Sequence, residues 1–148
     1  MSVVDLESFS LGYLAAIIDG EGSISLFTRN RGSYDDFLPY VEISNTEKEI
    51  IESARDMADV GEVYETPRKT EHKTIYRLCI RRQHDIVLLL ERVKPFLMSK
   101  RKQRLAELLI EYCLIRLDAG HKAHTKREAE ICEEVSVLNK RTGGDTYG

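Results

Sequence analysis

No stretch of this 148-residue chain stays apolar for the roughly eighteen residues needed to cross a bilayer, which excludes a transmembrane helix and any membrane partner for it. The opening residues, Met1 to Ser8, lack a basic segment followed by an apolar one, so no secretion signal is expected. Cysteine is scarce. Cys79, Cys113 and Cys132 stand far apart and cannot all pair with one another, which argues against a disulfide framework and for an intracellular protein with reduced thiols. The host compartment, cytoplasm or organelle, stays open. Proline occurs three times and no low-complexity linker divides the chain, so a single domain over 1–148 is expected. With 42% hydrophobic residues it can build a real core, and this content excludes disorder despite 32% charge.

A large charge of one sign is also missing: the net value is −3, which looks wrong for a nucleic-acid partner. The average conceals a pattern. Residues 1–22 carry four acids and no Lys or Arg, whereas residues 61–104 hold twelve Lys and Arg against five Asp and Glu. An acidic start and a basic middle suggest one face built for phosphates, against the plainer reading of solvated surface charge.

Periodicity supplies an element order. Leu6, Phe9, Tyr13, Leu14, Ile17 and Ile18 recur at helical spacing over 6–19, closed by Gly20. Residues 23–30 and 37–45 alternate as two strands of a hairpin, with Pro39 marking an edge or bulged position. A helix is expected over 47–58 with Thr46 as its N-cap, then strands over 61–66 and 73–82, and a helix over 84–93 stopped before Pro95. Two more helices are expected over 100–118 and 124–140. The fold class is therefore α+β, αββαββα with helices appended: a core of about 6–118 and a C-terminal helical extension of about 121–141. Helices cover one sheet face and leave the other open.

The chemistry concentrates where the first helix meets the first strand, in Leu14-Ala15-Ala16-Ile17-Ile18-Asp19-Gly20-Glu21-Gly22. Acids at a helix C-terminus oppose the dipole, and a hard divalent cation would give them a reason to be there. Nothing suggests a covalent nucleophile with a histidine partner. His121, His124 and Cys132 lack the spacing of a zinc site, and Cys113, Cys132, Tyr13, Tyr112 and Phe96 read as packing residues.

This nonapeptide resembles the signature of LAGLIDADG homing endonucleases, and the αββαββα order around it matches that family's core. Pro95-Phe96-Leu97-Met98-Ser99-Lys100-Arg101-Lys102-Gln103 resembles the lysine-rich start of the following helix in single-motif members. The resemblance implies a site-specific endonuclease for intron homing. Such an enzyme cleaves both strands of a long pseudo-palindromic double-stranded DNA target by divalent-metal-dependent phosphodiester hydrolysis. By that likeness Glu21 and the Gly20 carbonyl bind Mg²⁺ (Mn²⁺ or Ca²⁺ are alternatives), Asn45 lies near the attacking water, and Lys100 polarises the site. Many members carry aspartate where Glu21 stands, one methylene shorter. One motif per chain implies a homodimer, with Gly12, Ala15, Ala16 and Asp19 at the helix–helix interface. Asp19 is expected to cap and position the helix end.

Alternation places Ser25, Phe27, Arg29, Tyr40, Glu42, Arg77, Cys79 and Arg81 on the open sheet face, which the family lays against DNA. Arg31 and Arg68, in or beside the turns, extend that reach, and Lys102 and Arg101 either help Lys100 polarise the site or grip phosphate. Two further readings compete. One is a non-cleaving relative, an intron RNA maturase or a DNA-binding regulator; the other is an unrelated α+β protein whose helix happens to end in DGEG.

Overall fold

The computed structural model describes residues 6–30, 32, 35–69 and 73–140. Helix α1 spans Leu6–Glu21 and passes without a loop into strand β1, Gly22–Asn30, which pairs with β2, Asp35–Asn45. Helix α2 follows over Lys48–Ala58, then β3 over Glu62–Thr66, β4 over Ile75–Ile80 and α3 over Gln83–Val93. A single 3-10 turn at Lys94–Phe96 leads to α4, Lys100–Ala119, and α5, Lys126–Asn139. The expected αββαββα core and appended helices are present. The four strands form one antiparallel sheet in the order β1-β2-β4-β3.

Local boundaries differ from expectation in instructive ways. Helix α1 does not close at Gly20 but runs on to Glu21, and Gly22 makes the corner. A Cβ on Gly22 would lie 2.8 Å from the Ile18 Cα and 2.9 Å from its carbonyl oxygen, so only glycine lets β1 leave the helix so abruptly. Thr46 does not cap α2: the N-cap residue is Glu47 and its own side chain makes no capping bond. Instead the Glu47 amide donates to the side-chain oxygen of Asn45 at 2.8 Å, so the capping acceptor sits two residues upstream. Pro39 is paired with Leu26 of β1, two residues before β2 picks up β4 at Val41, and there its missing N–H costs no ladder bond to β4.

The core lies between the sheet and the helices. Ile24 and Leu26 of β1, Val41 and Ile43 of β2, and Leu78 and Ile80 of β4 face Leu14 and Ile18 of α1. Ile51 of α2, Leu89 and Leu90 of α3, and Leu105, Leu109 and Tyr112 of α4 complete it. Burial at Cys113 pushes its thiol up to about 12, as expected of a packing residue. Helix α5 adds Ile131 and Val135 to the same cluster. It is fastened by a buried ion pair, Arg116 to Glu128 at 3.1 Å, and Glu128 also completes a capping box with Thr125. At its far end Asn139 donates to the Ile24 carbonyl at 3.1 Å, which covers part of the free edge of β1.

The apolar residues of α1 sort as expected at Leu14 and Ile18 but not at the start of the helix. Leu11, Leu14, Ala15 and Ile18 are the buried set, while Leu6 and Phe9 are 79% and 58% exposed and Tyr13 is also exposed. The helix is apolar on nearly every side, so periodicity could not select the inward face. Phe96, expected as a packing residue, is likewise partly exposed.

The Gly22→Ala variant should lose about 1–3 kcal/mol of stability, because the new methyl meets helix backbone that cannot move aside. Urea denaturation of the two proteins, compared at their midpoints, measures this.

Candidate active site and nucleic-acid interface

Four charged side chains surround the junction of α1 with α4, and their partners divide them into structural and chemical groups. The Asp19 carboxylate accepts the backbone amides of Met98 at 2.8 Å and Ser99 at 3.2 Å. An acid at the end of one helix thus caps the start of another, where the positive pole of α4 favours it. In return, the Lys102 ammonium donates to the carbonyls of Ile18 at 2.5 Å and Asp19 at 2.6 Å, on the negative pole of α1. Burial first, and Arg101 second, hold the Lys102 ammonium below the ordinary lysine range, while Asp19 pulls the other way.

This clasp corrects two expectations. Lys102 is only 6% exposed and its ammonium is committed to helix carbonyls, so it is no phosphate grip. Asp19 was expected to cap the end of α1, but its carboxylate instead caps the start of α4 of its own chain. Ala15 is withdrawn from the expected interface, because it is fully buried in the protomer's own core.

Glu21 is different. It is exposed, one residue before the corner, and its carboxylate accepts from the Asn45 side-chain nitrogen at 2.8 Å. The orientation of Asn45 follows from chemistry: the Glu47 amide can only donate, so it takes the Asn45 oxygen and turns the –NH₂ toward Glu21. Two residues twenty-four apart in sequence are thereby brought into one constellation. Gly20 is exposed in the helical turn beside them, and Lys100 is exposed at the first position of α4, next to the Asp19 cap.

Strand register decides the open face. The pairs Ser25–Tyr40, Phe27–Leu38, Arg29–Asp36 and Ser23–Glu42 share one side of the β1–β2 ribbon, and Glu42–Cys79 and Ser44–Arg77 continue it onto β4. Among the described residues, every strand position expected on this face lies on it, and Arg81 follows directly after β4. Arg31 lies outside the described residues. Arg68 is exposed beside the β3–β4 turn, and its Nε donates to the Lys73 carbonyl at 2.9 Å. Cys79 points to the open face but is enclosed among its neighbours, and burial holds its thiol above the usual range, which removes it as an exposed reader.

The face also carries residues not singled out from the sequence. Glu62 pairs with Cys79 and Tyr64 with Arg77, so β3 contributes Glu62, Tyr64 and Thr66. The Arg81 guanidinium lies 5.8 Å from the Tyr64 ring centroid, and the Tyr64 hydroxyl donates to Glu62 at 2.5 Å. The signal was present as the alternation of Glu62-Val63-Tyr64-Glu65-Thr66. Acids temper the expected basic surface. Arg29 pairs with Asp36 at 2.7 Å and Arg77 with Glu42 at 3.7 Å. Elsewhere Arg92 pairs with Glu7, Lys94 with Glu107 and Arg104 with Glu134, so much of the basic surplus is balanced by acids of the same chain.

Residues 8–94 match the LAGLIDADG-like domain family. The chain belongs to the LAGLIDADG family. Its fold resembles the archaeal intron-encoded homing endonuclease I-Vdi141I, solved complexed with DNA, at a TM-score of 0.74 and 20% identity, covering 96% of this chain and 91% of that one. It also resembles the homing endonuclease I-CvuI, solved with its target in the presence of calcium, at 0.69 and 17%, covering 92% and 86%. Against the LAGLIDADG meganuclease I-AabMI, bound to uncleaved DNA, the values are 0.61 and 18%, over 75% of this chain but 38% of that one. No sequence match was found among curated proteins. Among the described residues, no helix is long and apolar enough to cross a membrane.

Within the LAGLIDADG unit, Lys102→Met should cost about 1–3 kcal/mol by stranding one buried and one part-buried helix carbonyl. Its effect on the salt dependence of DNA affinity should be nil, whereas Lys100→Met should lower the salt slope by about one. Denaturation and binding titrations across a salt series measure the two effects.

Proposed function

We propose that this LAGLIDADG protein is a homodimeric, divalent-metal-dependent endonuclease that cleaves both strands of a pseudo-palindromic DNA duplex. The observation that carries the reading is the exposed Glu21 carboxylate, which remains at the end of α1 when Asp19 and Lys102 have satisfied each other's helices, with Asn45 beside it. A protein that only binds DNA or intron RNA gains nothing from an acid placed where phosphates must approach, so the maturase and regulator readings leave Glu21 unexplained. The solved relatives support DNA binding in the presence of divalent ions, since I-CvuI was crystallised with its target in calcium and with the I-CreI target in magnesium, where the DNA was not cleaved.

The donor set fits a hard cation held in an open site. Among the described residues no cluster of three or more His, Cys, Asp or Glu could enclose a metal. Glu21 and the Gly20 carbonyl offer oxygen only, which suits Mg²⁺, an ion that keeps several waters and binds through one or two carboxylates plus substrate phosphates. When bound, the ion supplies water activation and neutralises charge on the phosphate. The chain's own residues do the rest. Asn45 fixes the rotamer of Glu21 by its hydrogen bond and presents a polar edge to solvent. Lys100 adds positive charge beside the phosphate. The open sheet face sets the register of the duplex by lying in the major groove.

Dimerisation follows from the exposed side of α1. Leu6, Phe9, Tyr13, Ala16 and Gly20 recur along one stripe, with Gly12 adjoining it, and a Cβ built at Gly12 or Gly20 meets nothing within 4 Å. Met98, 84% exposed, stands near the end of that helix, where its amide is held by Asp19. An apolar helix face left in water on a soluble unit is an interface. Packing α1 against a second copy would bring two Glu21 side chains together, one for each strand.

Glu21→Gln should abolish cleavage in Mg²⁺ while DNA binding is retained or tightened, because a metal ligand and a negative charge are both removed. Cleavage at the wild-type rate by this variant would remove Glu21 from the reaction. In solution the wild type should have about twice the 17.0 kDa chain mass, and Ala16→Leu should weaken the dimer by about 1–3 kcal/mol. Sedimentation equilibrium tests both, and a wild-type monomer that still cuts both strands overturns the homodimer.

A further inference from the structure

The open face divides into two regions of different chemistry. Near β4 it is charged: Glu42 with Arg77, and Arg81 over Tyr64. Toward the β1–β2 turn it becomes apolar before ending at the Arg29–Asp36 pair. Phe27 stands directly across from Leu38, and its ring meets that of Tyr40, one rung away, edge-on with centroids 5.8 Å apart. Phe27 is 47% exposed and Leu38 and Tyr40 are half-buried. All three are on the side of the sheet away from the core. The solvent side of an antiparallel sheet ordinarily carries polar residues, and the fold gains no core from this trio.

The geometry points to a thymine-reading patch: Phe27, Leu38 and Tyr40 form an apolar surface that recognises the 5-methyl group of thymine in the major groove. The inference rests on the proposed DNA-binding role of this face and names what one part of it reads. Thymine is the base that presents a methyl group to that groove, and apolar side chains, phenylalanine among them, recognise it by contact alone. The patch lies between Arg29, one rung outward, and the Glu42–Arg77 pair inward, so a duplex following the ribbon must cross it. Phe27 lies five residues beyond the start of β1 at Gly22, about 17 Å at the usual rise of an antiparallel strand. At 3.4 Å per base along a strand, the methyl falls about five base pairs outward from the Glu21 end in each half-site.

Selection of preferred duplexes from a random pool supplies the target. Deoxyuridine is then placed for thymidine at one position at a time, and wild-type affinity is measured. Loss of the methyl at a thymine about four to six base pairs from the cleavage point should weaken binding about fourfold per half-site, with no effect of that size nearer the centre. In the Phe27→Ser/Leu38→Ser variant, thymidine and deoxyuridine duplexes should bind equally at those positions. Equal wild-type affinity for both bases throughout that window overturns the proposal, as does discrimination that persists in the double variant. A selection that returns no preferred duplex overturns the DNA-reading function as well; a preferred duplex without methyl dependence overturns this inference alone.

Discussion

The reciprocal capping of α1 and α4 is the constraint on which the site depends. Each helix supplies the charge that the other's end requires: Asp19 on the amides that open α4, Lys102 on the carbonyls that close α1. The exchange grades from the buried Lys102 bond to the Ile18 carbonyl out to the exposed Met98 amide, and on the buried side a helix end without partners would be costly. Two acids stand two residues apart at the end of α1, and one of them is consumed by the fold. The other, Glu21, is left exposed beside Asn45. The glycine corner completes the arrangement, since Gly22 lets β1 start immediately, so the first strand of the open face begins next to the acid.

Charge on the open face follows a related economy. Two of its arginines are matched by acids on neighbouring strands, Arg29 by Asp36 and Arg77 by Glu42. Such pairs hold long side chains in fixed directions and contribute little to stability at this exposure. A face built in this way attracts a polyanion weakly at long range and discriminates by shape and by individual contacts at short range. The overall charge of −3 is consistent with that mode.

Much of this was legible in the sequence. Alternation in Ser25–Arg29 and in Tyr76–Ile80 assigned both sheet faces, because a strand's side-chain period is two whatever surrounds it. The Asp19–Glu21 pair stood out because acids at a helix C-terminus are unfavourable alone. What stayed hidden depended on distance in space. Lys100 and Lys102 are equivalent in sequence, but α4 places one in solvent and the other under Ile18. Leu6 and Phe9 look like core residues, and only the position of the sheet shows that Leu11 joins Leu14 in that role instead. The Asn45–Glu21 bond was reachable through family likeness, whereas the Asn45–Glu47 bond that orients it displaced the expected Thr46 cap.

Because Lys102 closes the motif helix from α4, the functional module is longer than the signature that identifies it. The family match ends at residue 94, before Ser99, Lys100 and Lys102. A chimera or single-chain fusion whose seam falls at the end of α3 would inherit the nonapeptide yet lose the cation that terminates it and the amides that hold Asp19. For protein engineering, the smallest portable cassette therefore runs from α1 through the opening turns of α4. Recombination within that stretch separates parts that stabilise one another.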